Sequence, residues 1–283
     1  MTSLLLALAF AAAATAAPPA QDLAGNRFEA FAPLSPPAIE SAPPHCTADR
    51  RWCATIRRDG DQNASTLQVF AGAPDGRQPV ASLDLGDNDD ADLALWPSII
   101  RLAGPEPGVL IGIERHVSTS YSGGGGGATQ LQLVRVVGEA AKPVLTAPIS
   151  GSLMIRACFD ERDMKARRGA CHDEYSFGGD LTLDPTTTQG PPRLLFETLA
   201  TAFPAGASRN GDSTARGRLR RSDLKPTRDP ACSYRRAFTL DPGSDVYTPD
   251  SPLPDCSDYT APWTDDRLRE ITVVFLRDTR RRA

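Results

Sequence analysis

The chain is expected to be all-β, made of antiparallel meanders pinned by disulfides. Three observations predict this. Apolar residues alternate along 108–137, a Leu…Pro pattern recurs through the middle of the chain, and 25 Pro, 23 Gly and six Cys leave little room for long helices. The meanders are expected to form a small or irregular β-propeller, with a β-sandwich as the alternative.

Residues 1–16 have the pattern of a signal peptide. Leu4–Ala14 is an apolar run too short to span a bilayer, and Ala14-Thr15-Ala16 is a small-x-small cleavage pattern. Export to the periplasm or medium is therefore expected, and no later run is long enough to span a membrane. Residues 17–44 are proline-rich and are read as an extended arm or linker. Residues 45–283 are read as one all-β domain.

All six cysteines follow the leader, which suits an oxidising compartment. Nearest-neighbour pairing is favoured: Cys46–Cys53, Cys158–Cys171 and Cys232–Cys256. In the chain-entropy picture such short loops contribute about 2–4 kcal/mol each. No C-x-x-C pair exists, and the three histidines do not supply zinc-finger spacing.

Val109, Ile111, Ile113 and Val117 alternate, as do Leu131, Leu133 and Val137. They predict a hairpin with one dry face, the wetter face carrying Leu110, Gly112, Glu114 and His116. Five consecutive glycines, Gly123–Gly127, lie between the two runs. The stretch Ser118–Ala128 is accordingly read as a long mobile tip. The glycines are not followed by the Lys and helix of a phosphate loop.

The recurring unit is Leu67…Pro79, Leu131…Pro143 and Leu181…Pro192, with separations of 12, 12 and 11 residues. Each reads as strand, turn, strand, with Pro opening the second strand. Further strands are expected at Cys53–Arg57, Val109–Val117 and Leu153–Phe159 before the three units. A fourth, degraded unit is expected at Arg236–Leu240 and a closing strand at Glu270–Leu276.

Net charge is −4 and the pI about 5.5, which disfavours a nucleic-acid partner for the surface as a whole. Residues 205–236 nevertheless hold nine bases against three acids, whereas residues 237–266 hold seven acids and no base. Two readings follow: an anion site, or a loop neutralised by its neighbour. The acidic group Asp87, Asp89, Asp90 and Asp92 has carboxylates for Ca²⁺ but departs from the EF-hand pattern, so a solvated loop is the simpler reading.

No G-x-S-x-G elbow is present, and no cofactor motif is found. The expected function is a non-catalytic exported binding or scaffold protein of the cell envelope. Its partner would be an anionic envelope polymer or another exported protein. The expected contact residues are Arg115, His116 and Tyr121, joined by Glu174 and Tyr175 if the repeats bring equivalent loops together. The alternative is a secreted or periplasmic hydrolase with its site in a propeller-like funnel. A converging pocket would favour the enzyme, and a flat face would favour binding.

Overall fold

A computed structural model describes residues 20–34, 43–58, 64–87, 91–106, 108–209, 215 and 217–260. The proposed leader, Asp89, Asp90 and the strand expected at Glu270–Leu276 lie outside these residues. The regular secondary structure of the described residues is nearly all strand. In order, it contains β1 (Arg27–Ala30), β2 (Ala32–Pro33), β3 (His45–Cys46), β4 (Trp52–Arg58), β5 (Ala64–Ala71), β6 (Ala81–Asp87), β7 (Asp92–Leu102) and β8 (Gly108–Tyr121). It continues with β9 (Gly124–Val137), β10 (Ala140–Arg156), α1 (Glu161–Ala166), β11 (His172–Leu183), β12 (Leu194–Phe203), β13 (Thr227–Arg228), β14 (Arg235–Asp241), β15 (Val246–Pro249) and α2 (Ser257–Thr260).

The strands form two antiparallel sheets. The larger has ten strands in the order β1-β7-β8-β9-β10-β11-β12-β14-β15, with β13 beside β12; the smaller runs β2 to β6. The three Leu…Pro units are the hairpins β5–β6, β9–β10 and β11–β12. They do not separate into propeller blades, because β10 is 17 residues long and serves two units at once. Its first half pairs only with β9, and its second half pairs with both β9 and β11. The strand expected at Leu153–Phe159 is therefore the end of β10. Pro143 sits inside β10 at a register shift rather than opening a strand, a bulge that tolerates its missing N–H.

Burial separates alternate residues into different cores. Val109, Ile111 and Ile113 of β8 pack with Val134 and Val136 against Leu67 and Val69 of the smaller sheet. Leu110 joins Leu131, Leu133, Leu183, Phe196 and Tyr247 in a second core. Both faces of this part of β8 are therefore dry, where sequence predicted one wet face. Glu114 is half-buried and only His116 is exposed. Each fully buried large apolar side chain contributes roughly 1.5–3 kcal/mol.

The proline-rich arm is partly structural. β1 pairs with β7 and forms one edge of the larger sheet, and β2 pairs with β3. Asn26 donates to Asp22 Oδ2 at 2.8 Å and to the Gly190 carbonyl at 3.1 Å, and it accepts from Ala103 N at 2.8 Å. This buried amide fastens the arm to the β11–β12 turn and to the end of β7.

All three expected disulfides form. Cys46 and Cys53 are direct partners across β3–β4. Cys158–Cys171 closes the loop holding α1, and Cys232–Cys256 ties α2 to the turn before β14. α1 starts because the Asp160 carboxylate caps Arg162 N and Asp163 N. It stops where Arg168 and Gly169 enter the left-handed region at φ 55° and 85°.

Candidate functional site

The glycine run is a strand, not a mobile tip. β8 and β9 are joined by Ser122 and Gly123 alone, and Gly124–Gly127 pair with Ser118–Tyr121 on one side and with Ser152–Ile155 on the other. A Cβ on Gly126 would stand 2.4 Å from the Ser152 carbonyl oxygen, and one on Gly125 would stand 2.9 Å from that of Thr119. Only glycine allows the three strands to approach this closely.

This close pairing builds a polar face. Directly paired residues project to the same side of a sheet, so register alone places them together. One row runs Asp92, His116, Thr129, Ser150, Gly178 across β7–β11. The next runs Ser118, Gly127, Ser152, Ser176, and the third runs Ser120, Gly125, Met154, Glu174. Adjacent strands are about 4.8 Å apart, and successive same-face residues along a strand about 6.7 Å. All these side chains are exposed except that of Thr129, which is half-buried. Gly125, Gly127 and Gly178 leave the surface without relief where side chains would otherwise stand.

His116 Nδ1 and Thr129 Oγ1 are hydrogen-bonded at 3.1 Å across β8–β9. The imidazole leans over Gly127, where a Cβ would come within 3.1 Å of its Cε1. Glu114, two residues earlier on the same face, is opposite Leu131, and burial pushes its carboxyl above the ordinary carboxylate range. The far end of the face is amphipathic. The Arg156 guanidinium lies 5.2 Å from the centre of the exposed Phe159 ring, and its Nε donates to the Cys158 carbonyl at 2.8 Å.

Strand register therefore brings His116 and Glu174 to one face, with two strands between theirs and no loop involved. It separates the other expected contacts. Arg115 points the opposite way and lines a cavity of about 90 Å³ with Leu93, Ile113 and Gln132. Tyr175 is only 4% exposed and packs edge-on to Tyr259 in a third core. It is a core residue, because its strand buries the odd positions Asp173, Tyr175, Phe177, Leu181 and Leu183. Tyr121 ends β8 opposite Gly124. Of the proposed Ca²⁺ ligands, Asp92 is exposed and 3.9 Å from Arg58. Among the described residues no group of three metal-ligating side chains occurs.

Sequence reading missed Ser150, Ser152 and Ser176, and it placed Ser118 and Ser120 on a loop tip rather than on the strand β8. The signal was present as hydroxyls alternating with apolar residues in Ser150-Gly-Ser-Leu-Met and Tyr175-Ser-Phe. It became informative only once register set the strands side by side. A second open groove, about 540 Å³, runs over Trp52 and Leu102 between Arg50 and Arg101. Arg101 there is held by Glu29 at 2.8 Å and Asp49 at 3.1 Å. Its hydrogen bond keeps the Asp49 carboxyl well below the usual carboxylate range.

No protein-family model, curated protein or solved structure matches the chain. Within the described residues no helix is long and apolar enough to cross a membrane.

Proposed function

We propose that this chain is an exported, non-catalytic binding or scaffold module of the cell envelope, and that it contacts its partner through the polar face carrying His116 and Glu174. The observation that carries this reading is the continuity of exposed hydroxyls, imidazole and carboxylate over β8–β11 on a surface levelled by glycine. An exposed array of hydrogen-bonding groups spread over four strands favours an extended partner over a small enclosed ligand. Three disulfides and no free cysteine among the described residues support an oxidising compartment.

Hydrolysis has weaker support. The His116–Thr129 contact lies on open sheet, where the surrounding backbone N–H groups belong to the ladders with β7 and β10. An oxyanion site needs such donors unengaged. A photo-crosslinking residue placed at Ser152 or Ser176 tests the binding reading in the producing cells. Adducts from these positions, and none from Thr239 on β14, are expected. Equal adducts from all three positions, or turnover of ester or glycoside substrates that His116→Ala abolishes, would overturn it.

A further inference from the structure

We infer that Arg168, Arg218, Arg220, Arg221 and Lys225 form a second docking surface, one that takes a linear anionic glycan. The inference does not rest on the proposed role of the polar face.

The charge is concentrated and unspent. Residues 217–228 contain five bases and a single acid, Asp223, whose carboxylate accepts from Arg220 N at 2.7 Å. Arg168, Arg218, Arg220, Arg221 and Lys225 are exposed, and among the described residues none of them forms an ion pair. Two acids of the block downstream are held elsewhere. Asp245 pairs with Arg135 at 2.8 Å and Lys142 at 3.6 Å, and Asp241 accepts from Gly243 N and the Ser244 hydroxyl, both at 2.9 Å.

The strip is also built rather than loose. Leu219 is 3% exposed, its N–H donates to the Ala166 carbonyl at 2.9 Å, and its carbonyl accepts from Arg168 Nε at 2.7 Å. Ala205 N holds the Asp223 carbonyl at 2.8 Å. The α1 loop that receives Leu219 is closed by Cys158–Cys171 and by the buried Arg167–Asp173 ion pair. With Leu219 turned inward, Arg218 and Arg220 face outward about 6.6 Å apart along extended backbone. Arg168, tethered through Nε, keeps its terminal N–H groups for a ligand.

Four of the five residues are arginines, whose planar forks match carboxylate and sulfate in bidentate fashion. A linear polymer with an acid on each sugar engages several of them at once and gains avidity that a free anion does not. A broad anionic plane such as a membrane meets the rest of the surface as well, and the chain carries −4 overall. A thin polymer meets only the strip, because screening confines the rest of the field to about 8 Å at physiological salt.

The test is binding of the purified protein to polygalacturonate and heparin at low salt. Wild type is expected to bind both and to lose at least tenfold in affinity between 50 and 300 mM NaCl. R218Q/R220Q/R221Q/K225Q is expected to lose at least tenfold at low salt with an unchanged melting temperature. R27Q/R57Q/R58Q/R77Q, which removes four exposed charges elsewhere, is expected to bind within twofold of wild type. The proposal is overturned by absent or salt-insensitive wild-type binding, by equal loss in the control variant, or by tighter capture on duplex DNA or phosphatidylglycerol vesicles than on polygalacturonate.

Discussion

A Cβ on Gly124 would stand 1.9 Å from the carbonyl oxygen of Met154. The β9–β10 step leaves no room for it, and both partners of the clash are backbone-fixed. Gly124→Ala is therefore expected to destabilise by about 3 kcal/mol, lowering Tm by on the order of 6–12 °C. Gly178→Ala is the control, because nothing lies within 4 Å of its Cβ position. Thermal melts of both variants check this, and a Gly124→Ala protein as stable as Gly178→Ala would refute the close packing of the glycine strand.

Arg167 and Asp173 form an ion pair with side chains 5% and 3% exposed, and Arg167 Nε also donates to the Ala170 carbonyl at 2.7 Å. Removing one partner strands a buried charge, which costs about 3–5 kcal/mol. Asp173→Ala is expected to fall in that range in urea unfolding. Arg167→Met/Asp173→Leu is expected to recover part of the loss, because an apolar pair carries no desolvation penalty.

Two carboxylates are expected to give opposite pH dependences. The Asp184 carboxyl is lowered first by the Thr186 hydroxyl, then by Thr186 N and Arg193. Its stabilisation is present above the unfolded pKa of about 3.9 and is lost as pH falls through the lower folded value. Asp184→Asn should therefore be less stable than wild type at pH 7 and approach it in strong acid.

Glu114 runs the other way, its pKa raised by burial. Below the unfolded value of about 4.3 it is protonated in both states and costs nothing. As pH rises from there the folded chain keeps its proton longer, so stability falls until the raised folded pKa is passed. Glu114→Gln should match wild type in acid and melt higher at pH 7. Tm measured against pH for both variants checks the signs.

Cys158 and Cys171 are 13 residues apart and close the loop that seats Leu219. Cys158→Ser/Cys171→Ser is expected to cost about 3 kcal/mol. Proteolysis should then cut first near Leu219, because its backbone partner at Ala166 belongs to the released loop. Cleavage rates of the two proteins measure this.

Much of this architecture was legible in the residues. Alternation marked β5, β8, β9 and β11, the recurring Leu…Pro spacing marked three hairpins, and short cysteine separations identified the three bridges. The Gly123–Gly127 run was misread because a glycine-rich stretch in isolation looks like slack chain. Its meaning lies in Met154, Ser152 and Thr119, whose carbonyls press on it from neighbouring strands. Tyr175 was read as a contact beside Glu174, and the two point to opposite sides of β11.

The sequence by itself determined that this is a disulfide-pinned, antiparallel β protein, since period-two alternation, turn residues and cysteine spacing are local properties. Only the tertiary structure decided which strands lie side by side, that β10 runs on through two hairpins, and that its register shift at Pro148–Ser150 aligns Thr129 with Ser150. Register is a long-range quantity. A shift of one residue exchanges the two faces of a strand, so membership of the polar face was set by pairing between distant segments.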